Sequence, residues 1–304
     1  MTRIMFCMLK TLGDCCLATT LVHELKSDYP DSEIHVFTNK MYGELFSNNP
    51  DVAEIHAPDD WNPNLLFMQM GSGKYDKVFC PIQVRRECNS WHQMEDTRHQ
   101  NLLDFYWHRM GRHRQITERE CYLYPSAKDF EKSKDFISLD VPRVAIHTTT
   151  GVPTKDWPYF EALVEDLRKA GYGTVQVGGR DDKKVKGAVD LCGKKMTFLE
   201  LAAFLSQTAA FVGLDSGVSY IADAMRIPTI VIQGSTDPVT SGPISNRVIH
   251  LFAKETGYAD CQVIRCHANC RHEINCNTKI TVQNVLDKLE PILETWKKPI
   301  PVGV

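Results

Sequence analysis

Four apolar runs in the second half of the chain, residues 144–147, 174–177, 210–214 and 229–232, each end in small or polar residues. Those endings are Thr148-Thr149-Thr150, Gly178-Gly179, Asp215-Ser216-Gly217 and Gly234-Ser235-Thr236. Between the runs the spacing turns helical. Over residues 158–170, Phe160, Leu163, Val164 and Leu167 fall on one face, with Pro158 at the first turn and Gly171 just past the end. A chain in which strands alternate with helices is confined to a parallel sheet covered on both faces. In an open sheet of that kind the turns after the strands share one edge, and that edge is where ligands bind.

The first half follows the same rhythm less regularly. Strand-like runs occur at residues 4–9, 34–37, 53–55 and 77–82, and residues 12–26 carry Leu17, Leu21 and Leu25 on one helical face beside Ala18 and Val22. Residues 85–119 are rich in Arg, His, Gln and aromatics, with Leu102, Leu103, Tyr106 and Met110 at helical spacing. This segment reads as one helix plus loops, either a solvated surface or a cover over a cleft. Around residues 126–142 the chain becomes polar and charged, which places a linker there. The expected domains are 1–135, 143–280 and a C-terminal helix and tail over 281–304. With 304 residues, 43% of them hydrophobic, each half can bury its own core.

Several function classes fall away. No run of about 18 apolar residues exists to span a membrane, and Lys10, Gly13 and Asp14 interrupt the N-terminal run too early for a signal sequence. A cytoplasmic, soluble enzyme is expected. The net charge of −3 provides no global field for a polyanion. No Gly-x-x-x-x-Gly-Lys-Ser/Thr loop is present, which disfavours a P-loop nucleotidase.

Gly and Ser let a backbone approach a phosphate closely, and helix starts direct free N–H groups at it. Four such turns on one edge, with Lys155 just ahead of the 158–170 helix, point to a phosphate-bearing ligand rather than to ordinary strand–helix turns. In the first half, Gly13 permits a tight turn before the first helix. Asp14 falls at the helix start, where the dipole favours negative charge. It reads either as an N-cap or as a general base at the sheet edge.

In the order and spacing of its motifs the chain resembles glycosyltransferase family 9, the heptosyltransferase-like enzymes. The resemblance rests on Thr11-Leu12-Gly13-Asp14, on Asn49-Pro50-Asp51-Val52, and on Thr149-Thr150 followed by Lys155-Asp156-Trp157-Pro158. It continues through Gly178-Gly179 with Asp181 and is most specific at Gly213-Leu214-Asp215-Ser216-Gly217, followed by Gly234-Ser235-Thr236-Asp237-Pro238. The resemblance implies a GT-B, α/β architecture of two Rossmann-like domains facing across a cleft, with the C-terminal helix packing back on the first domain. It also implies inversion at the anomeric carbon without a required metal, in keeping with the lack of an obvious Asp-x-Asp motif. By position, Asp14 matches the catalytic base. Thr149, Thr150 and Lys155 match donor diphosphate contacts, and Asp215, Ser216 and Gly217 match donor sugar and phosphate contacts, with Gly178, Gly179 and Asp181 beside them. Tyr220 stands where the family motif usually has a His, so the donor is expected to differ from ADP-heptose in its sugar or its nucleotide. Gly13, Arg85, Arg86 and Arg98 are the candidates on the acceptor side.

Cys261, Cys266, Cys270 and Cys276 lie within 16 residues, with His267 and His272 among them. Their four sulfurs suit a structural zinc, with reduced thiols or a disulfide as the alternatives. Three readings of function follow. The first is transfer from a nucleotide-diphosphate sugar to a hydroxyl of a lipopolysaccharide core or other cell-envelope glycan. The second is a phage-type enzyme with a hydroxymethylated DNA base as acceptor, for which the arginines of residues 85–119 are the only hint of nucleic acid. The third is a nucleotide-sugar-binding protein without catalysis, against which Asp14 argues.

Overall fold

The computed structural model describes residues 1–59, 63–81, 100–136, 142–253 and 276–296. The chain divides into two units, Met1–Tyr124 and Pro125–Val304.

The first unit is built on β1 (Arg3–Met8), α1 (Leu12–Asp28), β2 (Glu33–Thr38), β3 (Glu54–His56), α2 (Pro63–Met70), β4 (Lys77–Phe79) and α3 (Leu102–Arg109). Its four strands run parallel in the order β3-β2-β1-β4. Residues Ile4 to Met8 are all buried, as expected of a strand covered on both faces. Helix α1 is buried almost all round, so its polar side chains need internal partners. Thr20 Oγ1 donates to Glu120 O at 2.6 Å, and Tyr122 N donates to Thr19 Oγ1 at 2.8 Å, fixing the returning segment along the helix.

Leu102, Leu103, Tyr106 and Met110 are the buried side of the α3 region, as their spacing predicts. The arginines around them are committed elsewhere than the sequence suggests. Arg112 and Arg114 pair with Asp28, Arg114 also with Glu24 at 2.5 Å, and Arg119 grips Asp104 with two bonds of 2.8 and 2.9 Å. The expected basic patch is therefore largely neutralised by acids of the same unit over its described part. Arg85, Arg86 and Arg98 lie outside the described residues.

The second unit contains α4 (Ala127–Ser133), β5 (Arg143–His147), α5 (Phe160–Lys169), β6 (Gly173–Gln176), β7 (Val189–Asp190), α6 (Phe198–Leu205), β8 (Ala210–Leu214), α7 (Gly217–Ala224), β9 (Thr229–Gln233), β10 (Val248–Phe252) and α8 (Val282–Thr295). Its six strands are also parallel, in the order β10-β9-β8-β5-β6-β7. The two edge strands β7 and β10 are additions to the sequence reading. The first has two residues and the second is only half-buried along its length, so neither carries a strong apolar signal.

The division between units falls before α4 rather than after it. Helix α4 packs on α6, where Lys132 Nζ meets Glu200 Oε1 at 2.5 Å and Gln207 Nε2 donates to Ser133 Oγ at 2.7 Å. Residues 125–135, expected with the first domain, thus group with the second. The C-terminal helix α8, expected to pack back on the first domain, places Val285, Leu286, Leu289 and Leu293 in the core of the second unit with Leu163 and Leu214. Among the described residues no helix is long and apolar enough to cross a membrane.

Candidate active site

The strand order of the second sheet locates its ligand edge. From β5 the chain continues to β6 and β7 on one side, then returns to β8, β9 and β10 on the other. A crevice opens at such a reversal, beyond the C-terminal ends of the two central strands. The residues there are His147 with Thr148-Thr149-Thr150 after β5, and Asp215-Ser216-Gly217 after β8.

Lys155 and Asp215 form the charged centre of this edge. Lys155 Nζ donates to Asp215 Oδ2 at 2.9 Å and to the Asp215 carbonyl at 3.1 Å, and Ser241 Oγ donates to the same carboxylate oxygen at 3.1 Å. Burial would raise the Asp215 carboxyl, but Lys155 and the hydroxyl donors outweigh it and hold it below the ordinary carboxylate value. Asn277 donates to the carbonyls of Lys155 and Asp156, and a Cβ on Gly234 would meet Asn277 Oδ1 at 2.2 Å. The glycine after β9 is therefore what lets residue 277 reach and position the lysine loop.

Ser216 and His147 form the second element. Ser216 Oγ and His147 Nδ1 are hydrogen-bonded at 3.0 Å, and burial drives the imidazole down to about 4, so it is neutral near pH 7. Ser216 is the N-cap of α7 but makes no side-chain cap bond, so the first-turn N–H groups of α7 are not satisfied by its hydroxyl. Asp182 Oδ2 lies 3.7 Å from His147 Nε2 and accepts from Gly179 N at 2.9 Å. A Cβ on Gly178, at φ 154°, would fall 2.1 Å from that same oxygen and displace the carboxylate.

The predicted residues distribute unevenly over this geometry. Lys155, Asp215, Ser216 and Gly217 come together at the β5/β8 reversal. Thr149 and Thr150 follow β5 half-buried, and Thr150 Oγ1 accepts from Val152 N at 3.2 Å to close its own turn. Gly178 and Gly179 wrap the Asp182 carboxylate. Asp181 is exposed, and its neighbour Asp182 is the acid turned inward. Tyr220, expected against the donor, is buried and its phenol accepts from Gly242 N at 2.9 Å, so it shapes the 242 loop. His147, Asp182, Ser241 and Asn277 were not singled out by the sequence. For His147 a signal existed, a lone imidazole closing an apolar strand just before three threonines.

In the first unit Asp14 sits at the same kind of edge, following β1. The N-cap of α1 is Thr11, and Asp14 is the third residue of the helix rather than its cap. Asp14 Oδ2 accepts from Thr11 N at 3.1 Å and from Thr11 Oγ1 at 2.6 Å, the arrangement of a capping box. Tyr106 Oη donates to the other oxygen at 2.5 Å. Gly13, expected in a tight turn, is buried within the first helical turn. Cys276 is half-buried against the second core, while Cys261, Cys266 and Cys270 lie outside the described residues.

Two parallel sheets of Rossmann type, each with polar turns at its C-terminal edge, are the architecture of the GT-B fold. The profile of Glycosyltransferase family 9 (heptosyltransferase) matches residues 72–272, and the chain belongs to that family. It is similar to Lipopolysaccharide heptosyltransferase 3 of Escherichia coli, with 23% identity over 294 residues covering 79% of this chain and 86% of the relative. Among solved structures it is similar to the family 9 glycosyltransferase of Veillonella parvula DSM 2008, with a TM-score of 0.75, 17% identity and coverage of 97% and 98% of the two chains. The E. coli ADP-heptose lps heptosyltransferase II gives a TM-score of 0.73 at 17% identity, covering 97% and 99%. The protein is a heptosyltransferase-like glycosyltransferase.

Proposed function

We propose that the enzyme transfers a sugar, with inversion and without a required metal, from a nucleotide-diphosphate sugar to a hydroxyl of a lipopolysaccharide core. The observation that carries the reading is the pairing of Lys155–Asp215 with Ser216–His147 at the reversal point of the second sheet. An ammonium, a hydroxyl and the uncapped N–H groups of α7 together suit a leaving diphosphate, whose negative charge grows as the glycosidic bond breaks. Asp215 engages Lys155 through its carboxylate and its carbonyl, and the ammonium has a third proton for a phosphate oxygen. Thr149, Thr150, Gly178 and Gly179 are the small residues that admit a diphosphate to this edge.

Asp14 is the base in this reading. It removes the acceptor proton as the oxygen attacks the anomeric carbon from the face opposite the leaving group, which inverts that carbon. The glycan acceptor follows from the similarity to lipopolysaccharide heptosyltransferases. ADP-heptose, the donor of the similar E. coli enzyme, is the reference donor to test, against the expectation from Tyr220 that the sugar or nucleotide here differs from it. Three of the arginines that suggested a DNA acceptor, Arg112, Arg114 and Arg119, are paired with acids, which favours the glycan.

The test is a thermal-shift screen with ADP-, UDP-, GDP- and CMP-sugars. A ligand that binds only the native state stabilises it by about 2.7 kcal/mol at a hundred times its Kd. One nucleotide class is expected to stand out in wild type and to lose most of its shift in Lys155→Ala. A flat response to every nucleotide sugar would remove the reading.

A further inference from the structure

We propose that His35, Glu54 and His56 form a site for one divalent first-row cation of the zinc class on the edge of the first sheet, on the opposite sheet face from Ile34 and Val36.

The placement is dictated by strand register. In the parallel pairing of β2 and β3, His35 lies opposite Glu54 and Phe37 opposite His56. Side chains two apart on a strand share a face, so all three donors project from one side. That side also carries Met5, Cys7 and Phe37, with Leu66 packed on them. His35 Nδ1 lies 3.1 Å from Glu54 Oε2, His56 Nε2 lies 3.3 Å from Glu54 Oε1, and the two ring nitrogens are 3.5 Å apart. Donors on a tetrahedral centre with bonds of about 2.0–2.2 Å stand about 3.3–3.6 Å from one another. These spacings, taken to the two different oxygens of Glu54, approach those between corners of such a centre, and either oxygen can serve as the third donor.

The surroundings hold the donors in place and leave an approach. His56 stacks on Phe37 with centroids 4.2 Å apart, and Tyr75 meets His35 edge-on at 5.4 Å. Tyr75 Oη is 3.3 Å from His35 Nδ1, in reach of a water on a fourth corner. His35 is buried, whereas the Glu54 side chain is half exposed, so a cation can enter from the carboxylate side. Burial keeps both imidazoles below their ordinary value, against the pull of Glu54, with Lys74 pushing the same way as burial on both and Arg3 on His35. Two imidazoles and one carboxylate suit zinc, cobalt and their neighbours rather than magnesium or calcium.

Such an ion would tie β3, which has three paired residues, to β2. The site is independent of the transferase reading, since none of its residues belongs to the edge that follows β1 or β5.

The experiment uses the full chain, stripped with a chelator and titrated with Co²⁺ and Zn²⁺, in wild type, His56→Ala and Glu54→Gln. Glu54→Gln keeps the shape of an exposed side chain and guards against a variant that fails to fold. Wild type is expected to bind one more equivalent than either variant. That equivalent should show d–d bands of nitrogen and oxygen ligation without the charge-transfer band of a thiolate, which separates it from any cysteine site. Zn²⁺ should also raise the Tm of wild type more than that of either variant. Equal stoichiometry in all three proteins, or a thiolate band on the extra equivalent, would overturn the proposal.

Discussion

The phenol of Tyr106 donates to Asp14 Oδ1 at 2.5 Å, joining α3 to the first turn of α1 across 92 residues of sequence. Since Thr11 occupies the other oxygen, Tyr106 fixes the rotation of the carboxylate. Tyr106 is buried, so Tyr106→Phe keeps the packing and deletes the bond to Asp14. A hydrogen bond to a charged group is worth about 1.5–3 kcal/mol, or about ten- to hundred-fold in rate. We expect kcat to fall within that range while the donor KM holds. A change confined to thermal stability would make the contact purely structural.

Asp14→Asn separates helix capping from chemistry. The amide retains an oxygen for Thr11, so stability should change by no more than about 1 kcal/mol. Turnover should fall by about 10²–10⁴-fold, the usual range for removing a general base. Wild-type turnover with the cognate acceptor would reduce Asp14 to its capping role.

Lys155→Ala strips the partner from a buried carboxylate. Removing one member of a buried pair costs about 3–5 kcal/mol, here lessened by the Ser241 bond to the same oxygen. Denaturant titration should show this loss, and Asp215→Asn added to the variant should recover part of it. Because the folded value of Asp215 is depressed, its contribution is complete above the ordinary carboxylate value and is lost as pH falls through the folded one. The difference in stability between wild type and Asp215→Asn should therefore shrink on acidification below about pH 4.

His147 makes a prediction of its own in a higher pH window. The unfolded chain takes up a proton near 6.5 and the folded one only at about 4. Stability is therefore lost as pH falls between these values, by about 3 kcal/mol at about 1.4 kcal/mol per unit. His147→Asn should flatten that part of the profile, measured as denaturation midpoint against pH from 7 to 4. An unchanged slope would place the titrating group elsewhere.

The sequence revealed the elements whose cores are built from regular apolar spacing. β8 lies at the expected residues, and β1, α1, α5 and β9 within two residues of them. The two-residue β7 and the half-buried β10 carry too little apolar signal to be read. The polar turns were legible because Gly and Ser after a strand leave a local trace. Which polar residue faces inward was not. Asp181 and Asp182 are indistinguishable by composition, and only the closure of the Gly178 turn selects Asp182. Nor does any local pattern show that Arg119 belongs to Asp104, or that Tyr220 spends its phenol on Gly242, since both pairings arise from tertiary packing.

Ser216 has the side chain to cap α7 and gives its hydroxyl to His147 instead. That helix start is locally frustrated, because its best capping residue is turned away by a neutral imidazole. An anion settling there would resolve the conflict, and substrate arrival should tighten the first turn of α7 more than the rest of the unit. Slower amide hydrogen exchange at residues 217 and 218 would then mark the moment of occupancy, in a helix whose bonds are already made from Ser219 N onward.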